Sequence, residues 1–125
     1  MYSIQEVSRK TGLSTHTLRY YEKAELLTGV KRSPRGARQY SEEDLESLGL
    51  ICCLKNTGMS IQDIGRFMKL TQQGDETLKQ RVELLKIHRE TVQDRVAQMQ
   101  TYLDKVTCKL SCFSEKHDLR KILFC

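Results

Sequence analysis

The chain has 125 residues, a formal net charge of +5 and 30% charged residues. This length fits one compact domain, or a small domain followed by one long element, and excludes a multidomain enzyme. Its longest apolar run is far below the roughly 20 residues that a membrane-spanning helix needs, and the N-terminus has no signal-peptide pattern, so we expect a cytosolic protein.

The positive charge is concentrated at the N-terminal end. Eight Lys and Arg residues occur with three Glu residues in the first 40 positions, whereas the charges balance over the remaining 85. This asymmetry indicates a surface for a polyanion in the N-terminal third. A basic face that is merely solvated would give the same pattern.

Two short helices are predicted near the N-terminus. Ser3 and Glu6 have the spacing of a capping box, which predicts a first helix over Ile4–Thr11. Ser14 can cap a second helix over Thr15–Lys23.

The connection between these helices indicates a helix-turn-helix over residues 4–23. Gly12 suits the left-handed conformation that ends many helices, and only a short turn follows it. In such a motif the second helix normally lies in the DNA major groove. The apolar residues that we expect to form the small shared core are Ile4, Val7, Leu13, Leu18 and Tyr21.

Residues 28–40 are predicted to form a β-hairpin. Gly29, Pro34 and Gly36 are turn signals, and they lie among four basic residues. We therefore expect a wing with a basic tip beside the helix-turn-helix. Ser41 and Ser60, which each precede an aspartate by three residues, then predict helices over 41–57 and 60–70.

A heptad repeat begins at Asp75 and continues to Phe113, with Arg89 as the one polar residue among eleven a and d positions. Such a repeat predicts an antiparallel coiled coil over residues 75–113 that joins two copies of the chain, although a core stripe within one chain is the alternative. The domains would then be residues 1–72, residues 75–113 and a short tail, residues 114–125. The expected seam residues are Leu78, Val82, Leu85, Val92, Val96, Met99, Leu103, Val106 and Leu110.

A series of short motifs follows in order along the first half of the chain. They are Ile4-x-x-Val7, Thr11-Gly12-Leu13-Ser14, Thr17-Leu18-Arg19-Tyr20-Tyr21-Glu22, Leu26-Leu27, Arg32-x-x-x-Gly36-x-Arg38-x-Tyr40, Asp44-Leu45 and Gly58-Met59-Ser60-Ile61-x-x-Ile64. In this order they resemble the MerR family of bacterial transcriptional regulators. The resemblance is close over residues 2–72 and extends in outline to the long helix.

Two residues depart from the family pattern. Glu25 stands where the family usually has Gly, which predicts strain at the end of the second helix because Glu disfavours positive φ. Ala37 stands where the wing usually carries a larger side chain, which removes one possible DNA contact.

The resemblance implies a mainly α, winged-helix homodimer that binds a near-palindromic promoter with an overlong spacer. The effector-bound dimer would bend and undertwist the spacer so that RNA polymerase holoenzyme engages both promoter boxes, which makes the protein an activator. The residues implied to touch DNA are Thr15, His16, Arg19 and Tyr20 in the major groove and Lys31, Arg32, Arg35 and Arg38 on the wing.

The five cysteines suggest two alternative sensors, and we expect reduced thiols because their spacing is unlike a secreted disulfide framework. The segment that begins at Cys53 resembles the branch of the family that responds to aldehydes and electrophiles, and implies Cys53 as the sensor thiol. Lys55 and the start of the next helix could favour its thiolate. An inert buried thiol is the plainer interpretation, and Cys52 is expected to fill the core.

The second alternative is a metal sensor for copper(I) or zinc. Its ligands would be Cys108, Cys112, His117 and Cys125. Cys108 and Cys112 are four residues apart on a helix, however, rather than in a short loop.

The sequence shows no phosphate-binding loop and no arrangement of nucleophile and base, so we expect neither an enzyme nor a cofactor. A different class of function, a coiled-coil interaction protein with a basic head, also fits the composition.

Overall fold

The computed structural model describes residues 1–115. The fold over these residues is mainly helical, with a helix-turn-helix at the N-terminus and a long helix after it, which confirms the predicted class. In chain order the elements are α1 (Ile4–Thr11), α2 (Thr15–Lys23), β1 (Lys31–Arg32), β2 (Arg38–Gln39), α3 (Glu42–Asn56), α4 (Ile61–Gln72), a 3-10 helix (Gly74–Thr77) and α5 (Leu78–Ser114).

The helices of the N-terminal part begin at serine caps, as the sequence predicts. Ser3 and Ser41 each form a complete capping box. Ser14 accepts a hydrogen bond from the backbone N–H of Thr17, and Ser60 from that of Asp63. Because these contacts satisfy backbone donors that the first turn leaves open, each cap fixes where its helix starts.

The described residues form two compact units, one over Met1–Leu85 and a second that begins at Lys86. The first contains one hydrophobic core, to which α1 and α2 contribute four of the five residues expected there, while Leu13 is partly buried and packs against it. The buried core residues are Ile4, Val7, Leu18, Tyr21, Leu26, Leu27, Tyr40, Leu48, Ile51, Leu54, Ile64, Phe67 and Met68.

The hairpin consists of two short antiparallel strands in which Arg32 lies opposite Arg38. Its turn is closed by a hydrogen bond from the Ser33 N–H to the carbonyl of Ala37, at 2.7 Å. An isolated bridge between Tyr2 and Tyr40 attaches the N-terminal residues to the end of β2. The wing is thus connected by backbone hydrogen bonds to the chain that leads into α1.

The end of α2 has the strain that the sequence predicts. Glu25 has φ of 62°, the one non-glycine residue with positive φ among those described. The backbone N–H groups of Leu26 and Leu27 both bond to the carbonyl of Tyr21, and their side chains are buried. The burial of this leucine pair holds the sharp turn in place.

The connection from α4 to α5 is organised around a buried threonine. Thr77 is 6% exposed, and its hydroxyl donates to the carbonyls of Leu70 and Gly74. The Arg81 guanidinium donates to the Thr77 hydroxyl at 3.1 Å and to the Gly74 carbonyl at 2.9 Å. These contacts join the end of α4 to the 3-10 helix and to the first turn of α5.

Within residues 1–115, no helix combines the length and apolar character that crossing a membrane requires.

Candidate nucleic-acid interface

The second helix of the helix-turn-helix, α2, presents most of the predicted groove-contacting residues. Leu18 and Tyr21 point into the core, whereas His16 and Arg19 are exposed and Tyr20 is 47% exposed. Thr15 is half-buried, and its hydroxyl lies 3.4 Å from the Arg19 guanidinium. One face of α2 is therefore fixed by the core while the opposite face carries groups that can reach base edges and phosphates.

Three of the four basic wing residues are exposed: Lys31, Arg32 and Arg35. Arg32 also donates through Nη1 to the carbonyl of Gly36 at 3.0 Å, which braces the hairpin turn. Arg38 differs from them because it is half-buried and lies in direct hydrogen-bond contact with an acidic residue.

The partner of Arg38 is Glu22, on α2. The Arg38 Nε lies 2.5 Å from Glu22 Oε2, and Arg32 Nη2 lies 3.9 Å from Glu22 Oε1. Sequence reasoning assigned no role to Glu22. The sequence did contain a signal for this ion pair, because an acidic residue on the predicted groove-binding helix is followed by several arginines in the wing.

A cleft of about 220 Å³ lies between the start of α1, the wing and α2, which is the recognition helix of the helix-turn-helix. Arg19 and Arg38 line it together with Ser3, Gln5 and the wing tip. The fold thus brings side chains from α2 and the wing to one surface.

Tyr40 is the core residue beneath this surface. Its side chain is fully buried, and its hydroxyl has no hydrogen-bond partner among residues 1–115. Burial raises the pKa of Tyr40, and the charge of Glu22 raises it further, although Arg38 opposes this effect.

The predicted sensor thiol, Cys53, is an exposed free cysteine on α3. Lys55, which we expected to favour its thiolate, contacts Tyr21 instead: the ammonium lies 3.4 Å from the Tyr21 hydroxyl and 5.5 Å from the ring centroid. Cys52 is half-buried, and burial raises the pKa of its thiol more than the charge of Lys55 lowers it. The charge of Lys55 therefore acts on the thiol of Cys52.

The C-terminal cysteines differ from the expectation of reduced thiols. Cys108 and Cys112 on α5 are both disulfide-bonded, and Cys112 is buried. In that state neither offers the thiolate that a metal needs. His117 and Cys125, the other two proposed ligands, lie outside the described residues, and within residues 1–115 no three His, Cys, Asp or Glu side chains are placed to hold a metal ion.

Most of the predicted seam on α5 is exposed within the single chain. Exposure reaches 63% at Val96 and 67% at Met99, whereas Val92 is half-buried. The other exposed seam residues are Leu78, Val82, Leu85, Leu103, Val106 and Leu110.

Two protein-family profiles match the chain. The profile of the MerR HTH family regulatory proteins covers residues 2–71, and a second one, described as MerR, DNA binding, covers residues 45–107. An uncharacterized HTH-type transcriptional regulator from Haemophilus influenzae is 37% identical over 121 residues, which are 97% of this chain and 90% of that protein. Another relative from that organism, named "Probable heavy metal-dependent transcriptional regulator", is 32% identical and covers 83% of this chain and 81% of its own length.

Solved structures show the same relationship. The crystal structure of HiNmlR, a MerR family regulator lacking the sensor domain, bound to promoter DNA, superimposes with a TM-score of 0.85 at 38% identity. The match covers 91% of this chain and 90% of that one. The relatives are transcriptional regulators and not enzymes. Together with the helix-turn-helix and its basic surface, these matches identify the chain as a DNA-binding transcriptional regulator of the MerR family.

Proposed function

We propose that a homodimer of this chain binds a near-palindromic promoter through α2 and the wing, and activates RNA polymerase by distorting the spacer DNA. The observation that carries the proposal is the arrangement of α2 and the wing around one cleft, which Arg19 and Arg38 line. The other predicted groove residues His16 and Tyr20 are exposed on α2, and three cations are exposed on the wing. A structure with the same fold, HiNmlR, is bound to promoter DNA.

The second copy is needed because one helix-turn-helix reads only half of a palindromic site. The exposed apolar positions of α5 recur at heptad spacing and have no cover within the described chain. A matching helix from a second chain would bury them and place two heads on one duplex. This symmetry agrees with a near-palindromic operator.

We further propose that Cys53 receives the signal as a covalent adduct with an electrophile such as an α,β-unsaturated aldehyde. Its thiolate would add to the β-carbon of the aldehyde, and water would supply the proton to the α-carbon, so that a thioether forms with no leaving group. Support comes from the exposure of Cys53, which leaves its sulfur accessible to a small electrophile. An adduct on α3 would change the packing of the head, and a shift of a few kcal/mol is enough to move a two-state population.

A promoter-reporter assay with matched cysteine variants tests this signal. Cys53→Ser should keep operator affinity and lose induction by the aldehyde, and Cys52→Ser, at the adjacent position, should retain both. Mass spectrometry of the peptide that contains residues 52 and 53 should show one adduct for the wild type and none for Cys53→Ser.

The metal alternative stays open because one relative is named for heavy metals. It predicts that reduced protein binds zinc or copper(I) and that Cys108→Ser/Cys112→Ser abolishes induction by that metal. If induction by the metal is lost only in this double variant, and Cys53→Ser responds normally, the electrophile proposal is wrong.

A further inference from the structure

We propose that Glu22 is a positioning residue for DNA binding, which holds Arg38 and thereby fixes the wing against the recognition helix. Arg38 would then organise the interface. The family resemblance had implied, in contrast, that Arg38 binds a DNA phosphate. The inference rests on the proposed DNA-binding function of α2 and the wing, and it changes the role of one residue within that surface.

The contact between Glu22 and Arg38 is close and partly shielded from solvent. The Nε and Oε2 atoms are 2.5 Å apart, and the side chains are 21% and 22% exposed. Charge-assisted hydrogen bonds of this kind are stronger than neutral ones, and partial burial reduces screening by salt. Sixteen residues separate the two partners, so the bond joins α2 to β2 and not neighbours on one element.

The second oxygen of the same carboxylate faces the other strand. Arg32 Nη2 lies 3.9 Å from Glu22 Oε1, and Arg32 is the ladder partner of Arg38. Residues directly opposite on an antiparallel pair project to the same face, where like charges repel. Glu22 therefore neutralises two adjacent guanidinium groups and links both strands of the wing to the recognition helix.

The charge of Glu22 makes the proposal testable by the sign of an effect. An acidic side chain on a DNA-binding surface repels phosphate, so its removal ordinarily strengthens binding. If Glu22 instead positions the wing, Glu22→Gln weakens binding even though the protein becomes more positive.

The experiment uses the full chain and two duplexes of equal length. One is a sequence that the wild-type protein selects from a random pool, and the other is a scrambled version of it. Dissociation constants are measured over a range of salt concentrations for the wild type, Glu22→Gln, Arg38→Gln, the double variant Glu22→Gln/Arg38→Gln and the charge swap Glu22→Arg/Arg38→Glu. Lys31→Ala is the control, because Lys31 is an exposed wing cation that forms no ion pair within residues 1–115.

We expect each single variant to weaken binding to the selected duplex by about tenfold, the effect of losing one charged hydrogen bond. Binding to the scrambled duplex and the salt dependence should stay as in the wild type. The double variant should bind no worse than either single variant, and the charge swap should recover affinity. Lys31→Ala should reduce the salt slope by about 0.9, the value for one lost phosphate contact.

The proposal is overturned if Glu22→Gln binds as well as or better than the wild type, or if Arg38→Gln reduces the salt slope as Lys31→Ala does. A double variant whose loss equals the product of the two single losses also overturns it, and this comparison remains decisive if the charge swap does not fold. Absence of any sequence selected by the wild type would overturn both this inference and the proposed function, whereas the other outcomes leave the proposed function standing.

Discussion

Glu25 shows how one residue can conflict with the backbone position that it occupies. It has φ of 62°, a backbone conformation that residues with a Cβ atom disfavour. Its carboxylate forms an exposed ion pair with Lys69 at 3.6 Å. We expect Glu25→Gly to raise the free energy of unfolding by about 1 kcal/mol, because relief of the left-handed strain exceeds the small value of an exposed ion pair.

Urea denaturation followed by circular dichroism measures this difference. Glu25→Ala is the matched control, since it removes the ion pair but keeps the Cβ, and it should leave stability unchanged or slightly lower. Equal stability of the Gly and Ala variants would show that the turn carries no strain.

The adjacent cysteines of α3 should differ in reactivity. Cys53 is exposed, whereas Cys52 is half-buried and burial raises the pKa of its thiol. A raised pKa means a smaller thiolate fraction at pH 7, and the thiolate is the nucleophile. Iodoacetamide should therefore label Cys53 first, and labelling of Cys52 should accelerate as the pH rises toward its pKa.

Peptide mapping after timed alkylation at pH 7 and pH 9 tests this order. Labelling of Cys52 before Cys53 at pH 7 would contradict the burial argument. Addition of urea provides the control, because unfolding should remove the difference between the two sites.

At the scale of elements, the features that the sequence predicted are those set by residues close together in the chain. The serine caps and the turn at Gly12 are set by contacts within a few positions, so their spacing is enough to locate them. The ion pair of Glu22 with Arg38 and the contact of Lys55 with Tyr21 join residues 16 and 34 positions apart. Such contacts depend on how elements pack, which the sequence does not show. The sequence therefore predicted a DNA contact for Arg38 and a contact with Cys53 for Lys55, and the structure differs at both.

The connection between α4 and α5 depends on the hydroxyl of Thr77. Replacing it by the isosteric Val removes the donor to Leu70 and Gly74 and the acceptor of Arg81. The Leu70 carbonyl keeps the Gln73 N–H as a donor and the Gly74 carbonyl keeps Arg81, so the loss is that of the hydrogen bonds made by the hydroxyl itself. We expect Thr77→Val to lower the free energy of unfolding by about 1 to 2 kcal/mol.

Thr71→Val is a suitable control, because the exposed Thr71 bonds only to the carbonyl of Phe67 within α4. Its stability should stay within about 0.5 kcal/mol of the wild type, as for most surface substitutions. If both variants lose the same stability in thermal unfolding, the buried hydroxyl has no special role at the connection.

At the scale of the whole molecule, the long helix has more exposed apolar surface than an isolated soluble helix would keep. Its large exposed residues include Val96, Met99 and Leu110, and such a patch usually marks an interface. α5 has seven Lys and Arg residues and four Asp and Glu residues, so two paired copies would repel each other modestly, and salt screens this repulsion between exposed charges. The hydrophobic pattern of α5, and not its charge, therefore favours pairing with a second copy, whereas the basic charge of the first 40 residues suits DNA.

The dimer is tested by placing charges in this seam. Leu85→Asp/Val96→Asp would bury two carboxylates between the helices, at a cost of several kcal/mol, because a charge that is desolvated without a partner is strongly unfavourable. Sedimentation equilibrium should report a monomer for this variant and a dimer for the wild type. The control, Gln80→Asp/Thr101→Asp, adds the same charge at exposed positions on the outer face of the heptad and should remain a dimer.

A seam variant that dimerises as tightly as this control would show that the chains do not associate through α5. A monomer would also be expected to lose binding to the palindrome while each head keeps its weak affinity for a half-site, because only the pair of heads spans both halves.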